Sequence, residues 1–428
     1  AVGKDALGAN TTGADNVAVG QGALLVNTTG DTNVAIGHDA LLANTTANQN
    51  IAIGVAALAA NTTGARNIAI GHSALDGQDT ETDNIAIGFE AMTDNNAGGN
   101  YNIAIGNYAL DSLTSGDGNV GIGHNVLIAN TTGGENIAIG KAAMTTTTTG
   151  SSNTGIGSEA LRLNTTGATN TAVGSECLKN NTTANDTCGV GHRALANNTE
   201  GLGNVAMGRS TLEETTTGNY NNAFGWKAGQ NVTTGVNNVV VGQSAGSAIT
   251  TGGNNIAIGK DSARTGSPGG NQTTGSNRIF LGDEDIASAY IQVDWTIASD
   301  QRDKTDFTDL DVGLDFVNDL KPVTYKWDKR SKYADKTADD YDLNAQTPDG
   351  THKEDWLDVG FKAQEVEALE LAAGYKLSDK TNLTTTLTDD GKQYGLQYTK
   401  FIPILVKSIQ ELSAKNDALL ARIKTLEG

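Results

Sequence analysis

The chain has 428 residues, enough for two or three ordinary domains, and it contains 53 glycines but only 4 prolines. With 5% aromatic residues, this composition is neither that of collagen nor that of a disordered Pro/Gly tract. The formal net charge of −20 disfavours binding to nucleic acid or to an anionic membrane surface through bulk electrostatics. No apolar run reaches the ~18 residues of a membrane span, so we expect no membrane insertion.

A glycine recurs every seventeen residues through the first two thirds of the chain, where it closes the motif Asn-x-Ala-x-Gly. A fixed period of this length is typical of stacked coils of one architecture. The sequence therefore predicts a mainly β shaft of parallel β-roll or β-solenoid coils over residues 1–264. Because Ala1 falls in mid-repeat, we expect the chain to be a fragment of a longer protein. The strand glycines are Gly20, Gly37, Gly54, Gly71, Gly88, Gly106, Gly123, Gly140, Gly157, Gly174, Gly191, Gly208, Gly225, Gly242 and Gly259.

Each coil is expected to contain one strand, a short Ala-Leu segment and two corners. Ile51 and Ile53 should point one way and Ala52 the other, with the period of two that characterises a β-strand. The glycine that ends Asn-Thr-Thr-Gly, such as Gly30, is predicted to form a corner because glycine tolerates positive φ. One coil cannot bury its own Ile and Leu side chains, so we expect stacking to bury both.

The Asn-x-Ala-Ile-Gly pattern resembles the head repeats of trimeric autotransporter adhesins, which form parallel β-rolls in threes. Those repeats are shorter than seventeen residues, so the resemblance covers the strand motif alone. Four of the five histidines directly follow strand glycines without a partner ligand at metal-site spacing, so we predict no metal site and no cofactor. The Asn-Thr-Thr triplets are predicted to be corner residues rather than glycosylation sites. Cys177 and Cys188 are predicted to be small buried hydrophobic residues.

The period breaks after residue 264, and residues 265–298 are predicted to form a linker and a last, irregular coil. Aromatic and charged residues then become more frequent, in four segments at 299–304, 320–327, 358–366 and 394–401. Together these segments resemble the C-terminal intramolecular chaperone domain of phage tail fibres and endosialidase tailspikes, from Trp295 to the C-terminus. The resemblance implies a small α+β chaperone domain over residues 299–428.

Members of this family trimerise, template the folding of the fibre before them and then cut themselves off with a Ser-Lys dyad. The motif Ser-Asp-x-Arg-x-Lys places the nucleophile at Ser299 and the base at Lys304, with Asp300 and Arg302 in the flanking positions. A serine hydroxyl is a weak nucleophile, and a lysine can activate it where burial lowers the lysine pKa. Two polar insertions, at 331–354 and 377–392, depart from the family pattern.

The spacing of the dyad constrains both its geometry and the bond that it can cut. A turn after Asp300 would return the Lys304 amine to Ser299. Attack by Ser299 on the preceding carbonyl, that of Ala298, gives an unstrained five-membered ring and then an ester. We therefore expect scission beside Ser299, and the side of the cut remains open.

The chain ends in a predicted coiled-coil helix over residues 402–428. Its apolar residues alternate by three and four, with Ile at a and Leu at d, which is a heptad seam. This combination by itself favours two strands, whereas the family resemblance and the shaft favour three. A homotrimer is therefore predicted, with a dimer as the alternative, and Asn416 is expected to fix the register. The seam consists of Ile402, Leu405, Ile409, Leu412, Asn416, Leu419, Ile423 and Leu426.

These patterns predict a structural and receptor-binding segment of a phage tail fibre, made in the host cytoplasm and located on the virion. Its expected partners are other virion tail proteins and a host surface glycan or protein. The only enzymatic activity expected is single-turnover self-cleavage. A bacterial surface trimeric adhesin is one alternative. A glycan-degrading tailspike is another, but it needs paired carboxylates, so its hydrolase would lie outside this chain.

Overall fold

The fold is given by a computed structural model that describes residues 1–77, 79–93, 99–292, 297–335 and 341–427. Trp295, where the resemblance to the chaperone domain begins, lies outside these residues, as does the rest of 293–296 in the predicted linker. The chain forms two compact units, the first made of residues 1–262 and 273–281 and the second of 263–272 and 282–428. Among the described residues, no helix has the length and apolarity needed to cross a membrane.

The described part of the first unit contains sixteen three-residue strands in one parallel sheet, ordered as they occur in the chain. Each strand pairs with the strand of the next coil, so that Ile51 lies beside Ile68. The predicted β-solenoid is therefore confirmed. The strands are β1 (Val17–Val19), β2 (Val34–Ile36), β3 (Ile51–Ile53), β4 (Ile68–Ile70), β5 (Ile85–Ile87), β6 (Ile103–Ile105), β7 (Val120–Ile122), β8 (Ile137–Ile139), β9 (Thr154–Ile156), β10 (Thr171–Val173), β11 (Cys188–Val190), β12 (Val205–Met207), β13 (Asn222–Phe224), β14 (Val239–Val241), β15 (Ile256–Ile258) and β16 (Ile279–Leu281).

The interior of the solenoid is filled by the middle residue of each strand and by the Ala-Leu segment. Ala52 and Leu58 are completely buried, whereas Ile53 remains 36% exposed. The expectation that stacking buries the strand isoleucines is therefore wrong. The middle of the strand faces the leucine row, since a Cβ at Gly121 would lie 3.4 Å from the Leu110 side chain. The narrow interior admits only a small residue there, so the flanking isoleucines face outward.

Left-handed backbone conformations occur at the strand glycines rather than at the corner glycines. Gly54 has a φ of 138°, and a Cβ there would overlap the carbonyl of Gly71 in the next coil. Gly30 has no positive φ, and Ala47 occupies the same slot one coil later. The prediction that corner glycines are needed for positive φ is therefore wrong. Leu58, with a φ of 54°, makes one of the bends instead.

A row of buried asparagines, which precede most of the strands, joins successive coils. The Asn136 backbone N–H donates to Asn119 Oδ1 at 3.1 Å, and its Nδ2 donates to the Gly150 carbonyl at 2.9 Å. Asn153 in turn donates to Asn136 Oδ1 at 3.0 Å. Because a buried polar group is costly unless it is paired, each asparagine stabilises a corner of the next coil. The buried members are Asn33, Asn50, Asn67, Asn84, Asn102, Asn119, Asn136, Asn153, Asn170, Asn204, Asn221, Asn238 and Asn255.

A second row is formed by the asparagines of the Asn-Thr-Thr triplets. Asn44 is completely buried, and its Nδ2 donates to Asn27 Oδ1 at 2.8 Å and to the Ala47 carbonyl at 3.2 Å. The neighbouring Thr45 hydroxyl donates to the Thr62 carbonyl of the next coil at 3.1 Å. The prediction that these triplets are corner residues is confirmed at Asn44.

The described residues of the second unit contain three α-helices, four 3₁₀-helices and two antiparallel strand pairs, so the predicted α+β domain is confirmed. Its apolar core is built from Val312, Phe316 and Ile404. The α-helices are α1 (Leu314–Asp319), α2 (Ala363–Ala372) and α3 (Phe401–Glu427). The strand pairs are β17 (Val323–Tyr325) with β18 (Asp358–Gly360), and β19 (Thr385–Leu387) with β20 (Tyr394–Leu396). The 3₁₀-helices are Gln301–Asp303, Arg330–Lys332, Leu343–Ala345 and Tyr398–Lys400.

The step from β15 to β16 is longer than the others. Ile256 pairs with Ile279, a separation of twenty-three residues (279 − 256) instead of seventeen. The additional length lies in residues 263–272, which belong to the second unit and, from residue 265 onward, fall in the predicted linker. Ser267 in this segment is completely buried, so these residues are a packed loop.

A buried carboxylate joins α2 to β19 in the second unit. Glu370 is 1% exposed, and it accepts hydrogen bonds from the backbone N–H and hydroxyl groups of Thr384 and Thr385 and from the Leu383 N–H. Burial acts to raise the pKa of Glu370, but these hydrogen bonds outweigh it and lower the pKa below its usual range. The polar insertion at 377–392 is thereby held to α2.

We predict that Asn136→Leu lowers the free energy of unfolding by on the order of 3 kcal/mol, because it leaves several buried donors and acceptors unpaired. The measurement is denaturant unfolding of the full chain, followed by circular dichroism. Asn136→Thr is the matched control, since Thr187 occupies this slot naturally and its hydroxyl donates to the Gly201 carbonyl at 3.3 Å. Equal losses in the two variants would contradict a role for the asparagine row.

We predict that Glu370→Gln destabilises the second unit at neutral pH by on the order of 2 kcal/mol, because the amide cannot accept all five hydrogen bonds. Since the folded pKa is depressed, the charged form contributes stability above the unfolded pKa of about 4.3, and this is lost as pH falls through the folded pKa. The free energies of unfolding of wild type and Glu370→Gln, measured from neutral pH to below pH ~4, should therefore converge. Glu365→Gln, an exposed position on the same helix, is the control and should change little.

Candidate functional site

A short turn at the start of the second unit is stabilised by its own side chains. Asp300 caps the 3₁₀-helix Gln301–Asp303, accepting a hydrogen bond from the Arg302 N–H at 2.9 Å. The Arg302 guanidinium also pairs with this carboxylate, with Nε 3.1 Å from Oδ1. This side-chain pairing lowers the pKa of Asp300 and raises that of Arg302. The two predicted flanking residues therefore form one local structure.

The turn brings the predicted nucleophile and base together. Lys304 Nζ donates a hydrogen bond to Ser299 Oγ at 2.6 Å, which is within the range required for proton transfer. Ala298, whose carbonyl is the expected point of attack, directly precedes Ser299 in exposed backbone. The chemical roles of Ser299 and Lys304 remain predictions, but the contact that they require is present.

The dyad lies in a segment that packs against little of its own chain. Ser299 and Lys304 are exposed, as are all described residues from 285 to 309. The exposed side chains include the large apolar groups of Ile297 and Phe307. Lysines that act as bases are typically buried. The isolated chain therefore supplies the geometry of a Ser-Lys dyad without excluding water from it.

The C-terminal helix uses two different faces along α3. Phe401, Ile404 and Ser408 are buried in the second unit, and Glu411 Oε2 accepts a hydrogen bond from the Leu314 N–H of α1 at 2.7 Å. The predicted seam lies on another face, and every member of it is exposed. Those residues are Ile402, Leu405, Ile409, Leu412, Asn416, Leu419, Ile423 and Leu426.

Two acidic residues that organise the second unit were not identified from the sequence. Glu411 binds the first turn of α1, but an acid between seam positions is ordinary on a coiled coil, so it gives no signal. Glu370 lies between Leu369 and Leu371 in an otherwise apolar stretch. A charged residue in such a stretch is a usable signal for a paired buried carboxylate.

On the solenoid, two of the histidines take part in a row of aromatic ring contacts, stacked at His72 and edge-to-face at His124. The His72 and Phe89 ring centroids lie 5.4 Å apart, and the row continues through Tyr108 to His124 at 5.5 and 6.3 Å. Across the described ranges, no group of three or more His, Cys, Asp or Glu residues is arranged to hold a metal ion. These histidines therefore contribute to packing along the shaft.

Comparison with known proteins identifies a class for the second unit. Residues 299–375 match the family described as chaperone of endosialidase. The match begins at Ser299 and includes Lys304 and Glu370. A chaperone segment of this kind after a parallel β-solenoid fits a tail fibre with a C-terminal chaperone domain. Searches of curated proteins and of solved structures found no match to the chain.

Proposed function

We propose that this chain is a homotrimeric, receptor-binding segment of a phage tail fibre whose C-terminal domain drives trimerisation and folding and then cuts the chain beside Ser299. The observation that carries the proposal is the 2.6 Å contact between Ser299 Oγ and Lys304 Nζ, at the start of the segment that matches the chaperone family. Other virion tail proteins and a host surface glycan or protein are its proposed partners.

The exposed seam of α3 supports association of identical chains. Seven large apolar side chains on this seam remain exposed, from 43% at Leu405 to 84% at Leu426. Burying apolar surface contributes roughly 25 cal/mol per Å², so an isolated helix with such a face is unfavourable in water. Packing against the same seam of other copies provides a matching apolar surface, with Asn416 aligned between the chains.

The outer face of the solenoid sheet supports the same association along the shaft. The residues flanking the buried strand centres form a mostly apolar row on the outside of the sheet, interrupted by Thr154, Thr171 and Asn222. Contiguous apolar patches mark interaction surfaces. A parallel trimer would cover the three rows with one another. The most exposed members of the row are Val17, Val19, Ile36, Ile53, Ile137, Ile156, Met207, Phe224, Val241, Ile256, Ile258, Ile279 and Leu281.

The proposed cut proceeds in two balanced steps. Ser299 Oγ attacks the Ala298 carbonyl carbon while its proton passes to the neutral Lys304 amine. The Ala298–Ser299 C–N bond then breaks, the nitrogen takes up a proton, and Ala298 is left as an ester on Ser299 Oγ. Water hydrolyses this ester to the Ala298 carboxylate and the free hydroxyl of Ser299. Each chain performs the reaction once.

Exposure of the dyad suggests an order of events. A lysine needs surroundings that exclude water to act as a base, and Lys304 lacks them in the single chain. The exposed apolar residues Ile297 and Phe307 would supply a dry contact once copies pack together. Assembly would therefore precede cleavage. Parallel solenoids fold slowly because their contacts are long-range, and gathering three C-termini raises the effective concentration of the partners.

Self-cleavage is tested on a denaturing gel. Wild-type protein is expected to give two bands, corresponding to residues 1–298 and 299–428, and Ser299→Ala a single band. Lys304→Met should reduce the rate by at least ~100-fold, as expected for loss of a general base. Lys380→Met, in the exposed insertion of the same unit, is the control and should cleave normally. Identical lanes for wild type and Ser299→Ala would exclude the peptidase activity.

The reactivity of the two cysteines tests whether the apolar row is buried between the chains of a trimer. Cys188 is half-buried in the outward row, whereas Cys177 is completely buried, and burial raises its pKa to about 12. In a trimer verified by light scattering, we expect Cys188 to react with a thiol reagent roughly tenfold more slowly than in a monomeric Ile409→Asp variant. Cys177 should stay unreactive in both. Equally fast labelling of Cys188 in both states would mean that the row is not the interface.

A further inference from the structure

Two segments of the second unit come before Ser299 in the sequence, and they pack against residues that come after it. Residues 263–272 lie between β15 and β16, and residues 282–285 follow β16. The first segment contacts Ser331 and residues 388–390, and the second contacts Lys329 and Lys332. We call this contact, of 263–272 and 282–285 with 329–332 and 388–390, the loop interface.

Polar contacts cross the loop interface at two places. Lys329 Nζ donates to the Glu284 carbonyl at 2.8 Å, and Lys332 forms an ion pair with Asp285. Further along, the Asn271 N–H lies 3.4 Å from Asp390 Oδ2. Each of these contacts joins a residue before Ser299 to a residue after it.

The loop interface is closely packed as well as polar. Ser267 and Gln272 are at most 1% exposed, and Glu284 and Ser331 are each 6% exposed. A Cβ at Gly266 would lie only 2.7 Å from the Ser331 Cβ, so the backbone of the loop approaches the domain directly. Separating the two sides would expose buried polar groups and remove their partners, which is costly.

The described residues between the loop interface and the dyad have the opposite character. Residues 286–292, together with Ile297 and Ala298, are exposed. Scission beside Ser299 therefore breaks one peptide bond in an exposed connection and none of the contacts of the loop interface.

We propose that residues 299–428, once cut, stay bound to residues 1–298 through the loop interface, so that cleavage and release are separate events. The existence of the natural cut rests on the proposed function, but the affinity of the two pieces does not. In a trimer three loop interfaces act together, and such multivalency strengthens retention by 10²–10⁴-fold over a single contact. The ion pair between Lys332 and Asp285 makes release sensitive to salt.

The test uses the full chain with Ser299→Ala, a site-specific protease recognition sequence inserted directly after Ala298, and an affinity tag at the C-terminus. After digestion, a denaturing gel establishes that all chains are cut. Native affinity capture and size-exclusion chromatography then show whether the two pieces remain together. We expect residues 1–298 to be captured with the tagged domain at physiological ionic strength. Completely cut pieces that elute separately under these conditions would overturn the proposal.

Variants identify the contact that keeps the two cut pieces together. Lys332→Ala should speed dissociation of the cut pieces roughly tenfold, since the loss of a weak ion pair is repeated three times in the assembly. Lys376→Ala removes a lysine paired with Asp379 elsewhere in the same unit, and it should leave dissociation unchanged. The charge-reversed double variant Asp285→Lys with Lys332→Asp should restore retention. Equal dissociation of Lys332→Ala and Lys376→Ala would place the retaining contact elsewhere and overturn the assignment.

Failure of the proposed function is distinguishable from failure of this inference. A wild-type chain that gives one band on a denaturing gel would exclude self-cleavage. The added protease produces the same two pieces by another route, so retention is measured whatever the wild-type chain does.

Discussion

The backbone of each solenoid coil makes most of its hydrogen bonds with the coils on either side of it. Three residues in seventeen form a strand, and the remaining polar groups of a coil are directed along the stack. The Leu41 N–H donates to the Ala57 carbonyl, and the Thr28 N–H donates to the Thr45 carbonyl, each one coil further on. The two asparagine rows complete the same pattern where backbone groups alone do not meet. A single coil is therefore unstable, and the stack depends on the correct pairing of its neighbours.

Under the proposed function, this constraint gives a role to a domain of different architecture beside the repeat. Coils of near-identical sequence offer many wrong pairings one period apart, and the asparagine rows would be satisfied almost equally well in each. The second unit has its own apolar core and its own buried carboxylate at Glu370, so its fold does not depend on the register of the repeat. In the proposed function, a non-repeating fold that contains the loop 263–272 would give the folding of the repeat a defined starting point.

The sequence predicts features that depend on local geometry and misses those that depend on distant contacts. The solenoid follows from the period because the strand glycines lie where a Cβ would overlap the next coil, as at Gly54. The contact between Ser299 and Lys304 follows from a five-residue spacing and a capped turn. Alternation alone could not tell that Ala52 faces inward and Ile53 outward, because period two is the same for either face. The packing of loop 263–272 and the partners of Glu370 involve residues far apart in sequence and carry no periodic signal.

The step from Gly88 to Gly106 contains one residue more than its neighbours, yet Ala86 still pairs with Ala104 in register. The step from β15 to β16 contains six more, and its strands also remain aligned. A coil can therefore gain residues without shifting the register of the strands along the stack. Insertions can therefore accumulate in the loops during evolution, and foreign peptides can be grafted there by design, while the parallel sheet keeps its spacing.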